Sequence, residues 1–244
     1  ETGYTEAMAQ EMLKHIAVVT KLPVKYAINS NSQPDRFFGN EVFRKNGAQI
    51  IAHEKEAKRV AETGGDLAGA VERILGLPNG SVKVPNPPDK MITKDMSLDL
   101  GGVKVMLRHF GAAHTPAPLV AHIPADNVVY AGDILYSGRL LAVVPGGSVK
   151  AWIKTFDALK VFGNATFVPG HGKPAKLAAF KFSTRDYLTT LHTHMKTMVA
   201  QGVALDDAVK RLNQSRFSRL ENFQELAGRN ANMAYLESEA ESFQ

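Results

Sequence analysis

Between Thr5 and Thr20 the apolar residues Ala7, Met8, Met12, Ile16 and Val19 recur at helical spacing, and Thr5 followed by Glu6 supplies a cap and an acidic first turn. The pattern then changes period. Residues 24–28 and 48–52 are largely apolar and predict two buried strands, with a short helix over 39–46 between them, closed by Asn46-Gly47. Strand, helix and strand predict a βαβ unit with a parallel pair. His53 falls at the end of the second strand. Residues 54–62 and 66–75 predict two helices broken at Gly64-Gly65, and the stretch 77–90, with Pro78, Pro85, Pro87 and Pro88, predicts a connector.

Beyond residue 90 short strand-like runs take over, at 96–100, 103–110, 119–123 and 128–130. Gly101-Gly102 and Asp126-Asn127 supply turns, so this region predicts an antiparallel or mixed sheet. Ser148 is a natural cap for an amphipathic helix over 149–162 that carries Trp152, Ile153, Phe156 and Leu159 on one side. Residues 166–168 predict one more buried strand, ending in Pro169-Gly170-His171-Gly172. From Lys176 the pattern is helical, over 176–201, 204–212 and 217–242, with Leu188, Leu191, Met195 and Met198 as an apolar stripe.

Composition narrows the class without naming a chemistry. The 244 residues are 44% hydrophobic and 22% charged, which suits one or two globular domains with a substantial core. No apolar run reaches the roughly 18–20 residues of a membrane span. The net charge is +5, but Lys and Arg are scattered and no basic run is interleaved with aromatics, which disfavours nucleic acid as a partner. The chain has no cysteine, so thiol nucleophiles, disulfides and thiolate-bound zinc are excluded.

Four positions lie at strand ends or just beyond them: the loop 31–36, His114, Asp133 and His171. Loops after different strands can converge at one sheet edge, and His and Asp are metal-binding residue types. Taken singly each has an ordinary structural reading, and only the joint occurrence suggests a site. His109 and His122 read as surface or supporting residues, and His192 and His194, two apart on a helix, make a poor chelate. Ser30 and Ser32 lack an evident His–Asp relay, and Pro145-Gly146-Gly147-Ser148 lacks the Lys and the preceding strand of a phosphate loop.

The order of these motifs resembles the metallo-β-lactamase fold superfamily, whose members carry an Asp-Thr-Gly strand end, a His-x-His-x-Asp-His loop, a later His, a Gly-Asp and a final Gly-His. Here Glu1-Thr2-Gly3, the segment Asn31-Ser32-Gln33-Pro34-Asp35-Arg36, Ala113-His114-Thr115, Ala131-Gly132-Asp133 and Val168-Pro169-Gly170-His171-Gly172 take those places. The resemblance implies an α/β fold, a metallo-β-lactamase-like αββα sandwich over residues 1–175 that lacks the usual N-terminal strands, with a helical C-terminal extension over 176–244 packed on it. The tail and the Pro-rich insert are similar to one subgroup, exported metallo-hydrolases linked with quinoprotein and sulfur-oxidation systems, which implies a periplasmic or exported location.

In that family the loop residues, the later His and the last His hold two metals, the Gly-Asp carboxylate bridges them, and a metal-bound hydroxide attacks the substrate. Carried over residue by residue, Asp35, His114, Asp133 and His171 match ligand positions, with Asp35 and Asp133 as the catalytic acids. Asn31 and Gln33 stand where the first two His belong, and Arg36 where the third belongs. Amide oxygens are poor zinc ligands and a guanidinium is permanently charged. The expectation is that the Arg36 guanidinium replaces the metal charge and pairs with Asp35 or Asp133. The resemblance so altered implies a protein that has lost dinuclear zinc hydrolysis and serves as a binding or structural subunit, with no resident cofactor. The alternative is a hydrolase of esters, thioesters or amides with zinc or another divalent metal in the residual site. Because the family fold begins with strands ahead of the first motif, the expected partner is a protein, or a segment ahead of Glu1, that completes the sheet; an oligomer is compatible with this.

Overall fold

The computed structural model describes residues 1–243 and divides into two compact units, Glu1–Asp95 and Met96–Gln244. The first unit holds α1 (Glu6–Val19), β1 (Tyr26–Asn29), the single helical turn α2 (Pro34–Phe37), α3 (Asn40–Lys45), β2 (Gln49–His53), α4 (Glu54–Leu75) and β3 (Lys90–Ile92). Its sheet runs β1-β2-β3 and is parallel throughout. β2 is the central strand and is buried from Ile50 to His53, as an unbroken apolar run requires. Thr5 caps α1 by accepting the Met8 N–H at 3.2 Å.

Three expectations for this unit change. The two helices expected around Gly64-Gly65 are one helix, α4, because Gly64 is a contact point and not a break. A Cβ there would sit 2.9 Å from Val84 Cγ1, so the missing side chain lets the connector pack on the helix. The connector ends in β3, which pairs Ile51 with Lys90 and His53 with Ile92 and is too short for a periodicity signal. The loop after β1 contains α2, with Pro34 at its first position, where a missing N–H costs nothing.

The second unit holds β4 (Met96–Asp99), β5 (Lys104–His109), β6 (Leu119–Ile123), β7 (Val128–Tyr136), α5 (Val149–Ala158), β8 (Thr166–His171), α6 (Tyr187–Ala200), α7 (Leu205–Arg211) and α8 (Phe223–Ser242). The sheet order is β4-β5-β6-β7-β8, antiparallel up to β7 and parallel between β7 and β8, a mixed sheet as expected. β7 is longer than its apolar start implies. It runs through Gly132, whose φ is +54°, and its register with β8 shifts on both sides of that glycine. Such an irregularity re-aims side chains within a strand, and Asp133 lies in it.

The helical extension shares one apolar core with this sheet. Val120, Val129 and Phe167 from the strands pack in the same cluster as Trp152 from α5, Leu188 and Leu191 from α6, and Ala231 from α8. Residues 176–186 are not α-helix but a 3-10 turn, Leu177–Phe180, followed by a π turn, Lys181–Asp186. The wider turn lets the Ser183 and Thr184 hydroxyls donate to the Tyr136 carbonyl, at 2.5 and 3.0 Å, so the tail is tied to the end of β7. Asn230 on α8 accepts the Val143 N–H at 2.8 Å and donates to the Leu141 carbonyl at 2.7 Å, which fixes the segment after β7. Among the described residues no helix is long and apolar enough to cross a membrane.

Candidate functional site

In the first unit the loop from β1 to α3 is held by amides. Asn29 and Asn40 bond each other reciprocally, at 2.9 and 3.0 Å, and Asn29 Nδ2 also donates to the Arg36 carbonyl at 2.7 Å. The chain start lies across the loop: Thr2 N donates to Arg36 O at 3.1 Å and Gly3 N to Asp35 O at 3.0 Å. Gly39 makes that crossing feasible, since a Cβ there would lie 2.1 Å from the Thr2 carbonyl oxygen. Asn31 Oδ1 accepts the Gln33 N–H at 2.8 Å and so closes the turn, while Glu56 on α4 accepts the Ser32 N–H at 2.9 Å.

The charged centre of this loop is Arg36, which is 5% exposed. Its Nη2 lies 3.1 Å from Asp35 Oδ2, and its Nη1 donates to Glu1 Oε2 at 2.6 Å. Glu1 in turn accepts from the Ser30 hydroxyl through its other oxygen. Of the two acids expected to pair with Arg36, Asp35 does so; Glu1 is an additional partner. A guanidinium gripped by two carboxylates is a fork-like, charge-assisted arrangement. It occupies the Asp35 carboxylate with a cation from within the loop.

His53, which the family resemblance implies is structural, caps α4, with Nδ1 accepting the Lys55 N–H at 3.2 Å.

In the second unit His114 stands in the loop between β5 and β6 and is buried. Its Nδ1 lies 2.8 Å from the Ala142 carbonyl oxygen. A carbonyl only accepts, so the ring proton sits on Nδ1 and the lone pair on Nε2, the orientation in which backbone carbonyls commonly hold metal-binding imidazoles. The ring packs edge-on to Trp152, with centroids 5.4 Å apart. The loop runs close to Gly147, where a Cβ would lie 2.6 Å from the His114 carbonyl oxygen.

Asp133 and His171 come together at the β7–β8 edge, with Asp133 Oδ1 3.4 Å from His171 Nε2. Gly170 permits it, since a Cβ at that position would sit 2.2 Å from Asp133 Oδ1. Arg139 Nη1 lies 3.5 Å from His171 Nδ1. Sequence reasoning missed both Arg139 and Tyr136. The Tyr136 ring has its centroid 5.0 Å from that of His171 and 6.0 Å from that of His114, three residues beyond the Gly-Asp motif. That spacing along a strand is a signal, but only once β7 is known to continue past Asp133.

These residues fit a zinc centre unevenly. Structural and catalytic zinc sites take three or four His, Cys or carboxylate ligands. Asp133 and His171 stand at about the edge length of a tetrahedron with bonds of about 2.1 Å, but among the described residues no group of three or more His, Asp or Glu is placed to hold a metal ion. In the loop, Asn31 closes a turn, Asp35 is ion-paired and Arg36 is a cation. The second unit offers two suitably spaced donors, Asp133 and His171.

Residues 1–171 match the sequence profile of the metallo-beta-lactamase superfamily. The chain is 20% identical over 249 aligned positions to a linear primary-alkylsulfatase from Pseudomonas sp. (strain ATCC 19151), an alignment covering 87% of this chain and 47% of that protein, so the chain spans about half the length of this curated relative. Among solved structures it is similar to a metallo-beta-lactamase from Pontibacter korlensis, with a TM-score of 0.64 and 20% identity over 78% of this chain and 80% of the other.

Proposed function

Because the chain belongs to the metallo-β-lactamase superfamily, whose members usually bind zinc, we propose that it keeps the family's fold while having lost dinuclear zinc hydrolysis, and that it serves as a binding or structural subunit. One observation carries this reading. The position that should donate an imidazole holds a buried guanidinium, paired to Asp35 at 3.1 Å and to Glu1 at 2.6 Å. The acid expected to bind metal is thereby neutralised within its own loop, and Asp35 acts as a counter-ion instead of a ligand. The first ligand position supports it, since Asn31 Oδ1 is engaged with the Gln33 N–H.

The reading is tested by restoring the ligands. The triple variant Asn31→His, Gln33→His, Arg36→His should bind zinc at least tenfold tighter than the natural chain by competition with a chromogenic chelator. If the natural chain already matches the triple variant, the reading fails.

A second reading is favoured by the Asp133–His171 spacing and the His114 orientation: a hydrolase of esters, thioesters or amides that uses a reduced metal site. In that case Asp133→Ala abolishes hydrolysis of a generic ester such as p-nitrophenyl acetate, and Arg36→Ala does not. Under the first reading neither variant changes the background rate.

A further inference from the structure

Large apolar side chains left in solvent are a cost unless they serve something, and the first unit leaves Val84 42% and Met91 49% exposed. Both line one cavity of about 360 Å³, within the range of small-molecule sites. One wall is α4, which offers Ala57, Val60 and Ala61 on a single stripe. The facing wall is the Pro-rich segment 84–88. The two walls close on each other at Gly64, where a Cβ would lie 2.9 Å from Val84 Cγ1. The α4 lining runs from Glu54 to Ala61, with Glu54 and Lys58 exposed to solvent beside the apolar stripe, so the cavity follows the helix for about 10 Å.

The proline wall is fixed independently of any occupant. Asp89 accepts the Ile50 N–H at 2.7 Å and Arg44 Nε at 3.0 Å; Arg44 Nη2 donates to the Pro87 carbonyl at 2.9 Å. The Asn86 N–H bonds Glu41 at 3.0 Å, and Glu72 holds the Val82 N–H at 2.8 Å. Proline also fixes φ, so the wall resists collapse into the gap. At the inner end the polar groups already bond within the protein: Asn29 with Asn40, Asn31 with the Gln33 N–H, Glu56 with the Ser32 N–H. A polar ligand end placed there would compete with bonds already made.

We propose that this slot binds an unbranched, uncharged aliphatic chain. Two facing rigid walls, a length of about 10 Å along the helix and an engaged polar floor select a narrow apolar molecule over a protein surface, which would have to insert a side chain between them. The site lies wholly in the first unit and does not depend on the metal question, so it can fail while the proposed function stands, and the reverse.

The test is fluorescence titration of the whole chain with N-phenyl-1-naphthylamine, followed by displacement with 1-octanol. Saturable one-to-one binding is expected, with octane-1,8-diol displacing at least tenfold less well because one hydroxyl must enter the inner end, whose polar groups are already engaged. Ala61→Phe, which fills the slot from an exposed helix position, should weaken probe binding at least tenfold with an unchanged circular dichroism spectrum; Met91→Glu should do the same. The double change Val18→Ser, Val19→Ser, at the 83% and 87% exposed end of α1, should leave binding intact. Non-saturable binding, full binding by both slot variants, or loss on changing α1 overturns the proposal. So does a dimer that forms through the slot and ignores octanol.

Discussion

Arg36 and Asp35, adjacent in sequence, form an ion pair at 3.1 Å with the Arg36 side chain almost wholly removed from solvent. By motif order the resemblance assigns these two positions to an aspartate and a histidine that bind metal in other members. Glu1 completes the ion pair from the other end of the chain segment, at 2.6 Å from the same guanidinium. Removing one member of a buried pair leaves uncompensated charge, so Arg36→Ala should destabilise the protein by about 3 kcal/mol, whereas Arg36→Lys should cost less. Urea unfolding followed by circular dichroism measures both.

Gly64 and Gly65 are neighbours with opposite roles. A Cβ at Gly64 meets Val84 at 2.9 Å; a Cβ at Gly65 meets nothing within 4 Å. Gly65→Ala should therefore stabilise α4 by about 0.5–1 kcal/mol through helix propensity, and Gly64→Ala should destabilise it by pushing the connector away. Opposite shifts in melting temperature are the expected result.

Asn230 bridges Val143 N and Leu141 O across a buried gap and also donates to the Tyr187 hydroxyl at 3.1 Å. Burial pushes the Tyr187 phenol above its ordinary value, so the hydroxyl remains a neutral donor and acceptor. Asn230→Ala strands buried backbone groups and should cost about 2–3 kcal/mol, with the loss visible in thermal unfolding.

Asp157 receives two bonds from Arg185, both at 2.9 Å, and that hydrogen bonding holds its carboxyl below the usual value. A depressed folded value means the stabilisation is fully present above the unfolded value, near pH 4, and is lost as pH falls through the folded one. Asp157→Asn should be less stable than the natural chain at pH 7, and the gap should narrow below about pH 4. A gap that stays constant down to pH 2.5 contradicts this.

Much of the fold was legible because burial leaves period and length in the sequence. β2 reads as a buried strand because it is apolar on both faces, and Ser148 reads as a cap because its hydroxyl accepts the Ala151 N–H. What was illegible depends on partners far away in the chain. β3 is a strand only because β2 lies beside it, and Gly64 stands inside α4 because Val84 packs against it. The late start of α6 reflects hydroxyl bonds to Tyr136, about fifty residues earlier. At the site, motif order and charge suggested that Asp133 and His171 converge and that Arg36 pairs with Asp35 or Asp133, and the Asp35 pair is present. Glu1 as second partner of Arg36, and Tyr136 beside both histidines, did not, since neither contact leaves a local signal.

The proposed function requires that the loop from Asn31 to Arg36, which carries its own cation, hold no catalytic zinc. Elemental analysis of the natural chain, expressed with zinc in the medium and purified without chelators, tests it most directly. The account predicts well under one equivalent of zinc, manganese or iron per chain. One or two tightly held equivalents, retained through dialysis and lost in Asp35→Ala, would contradict it.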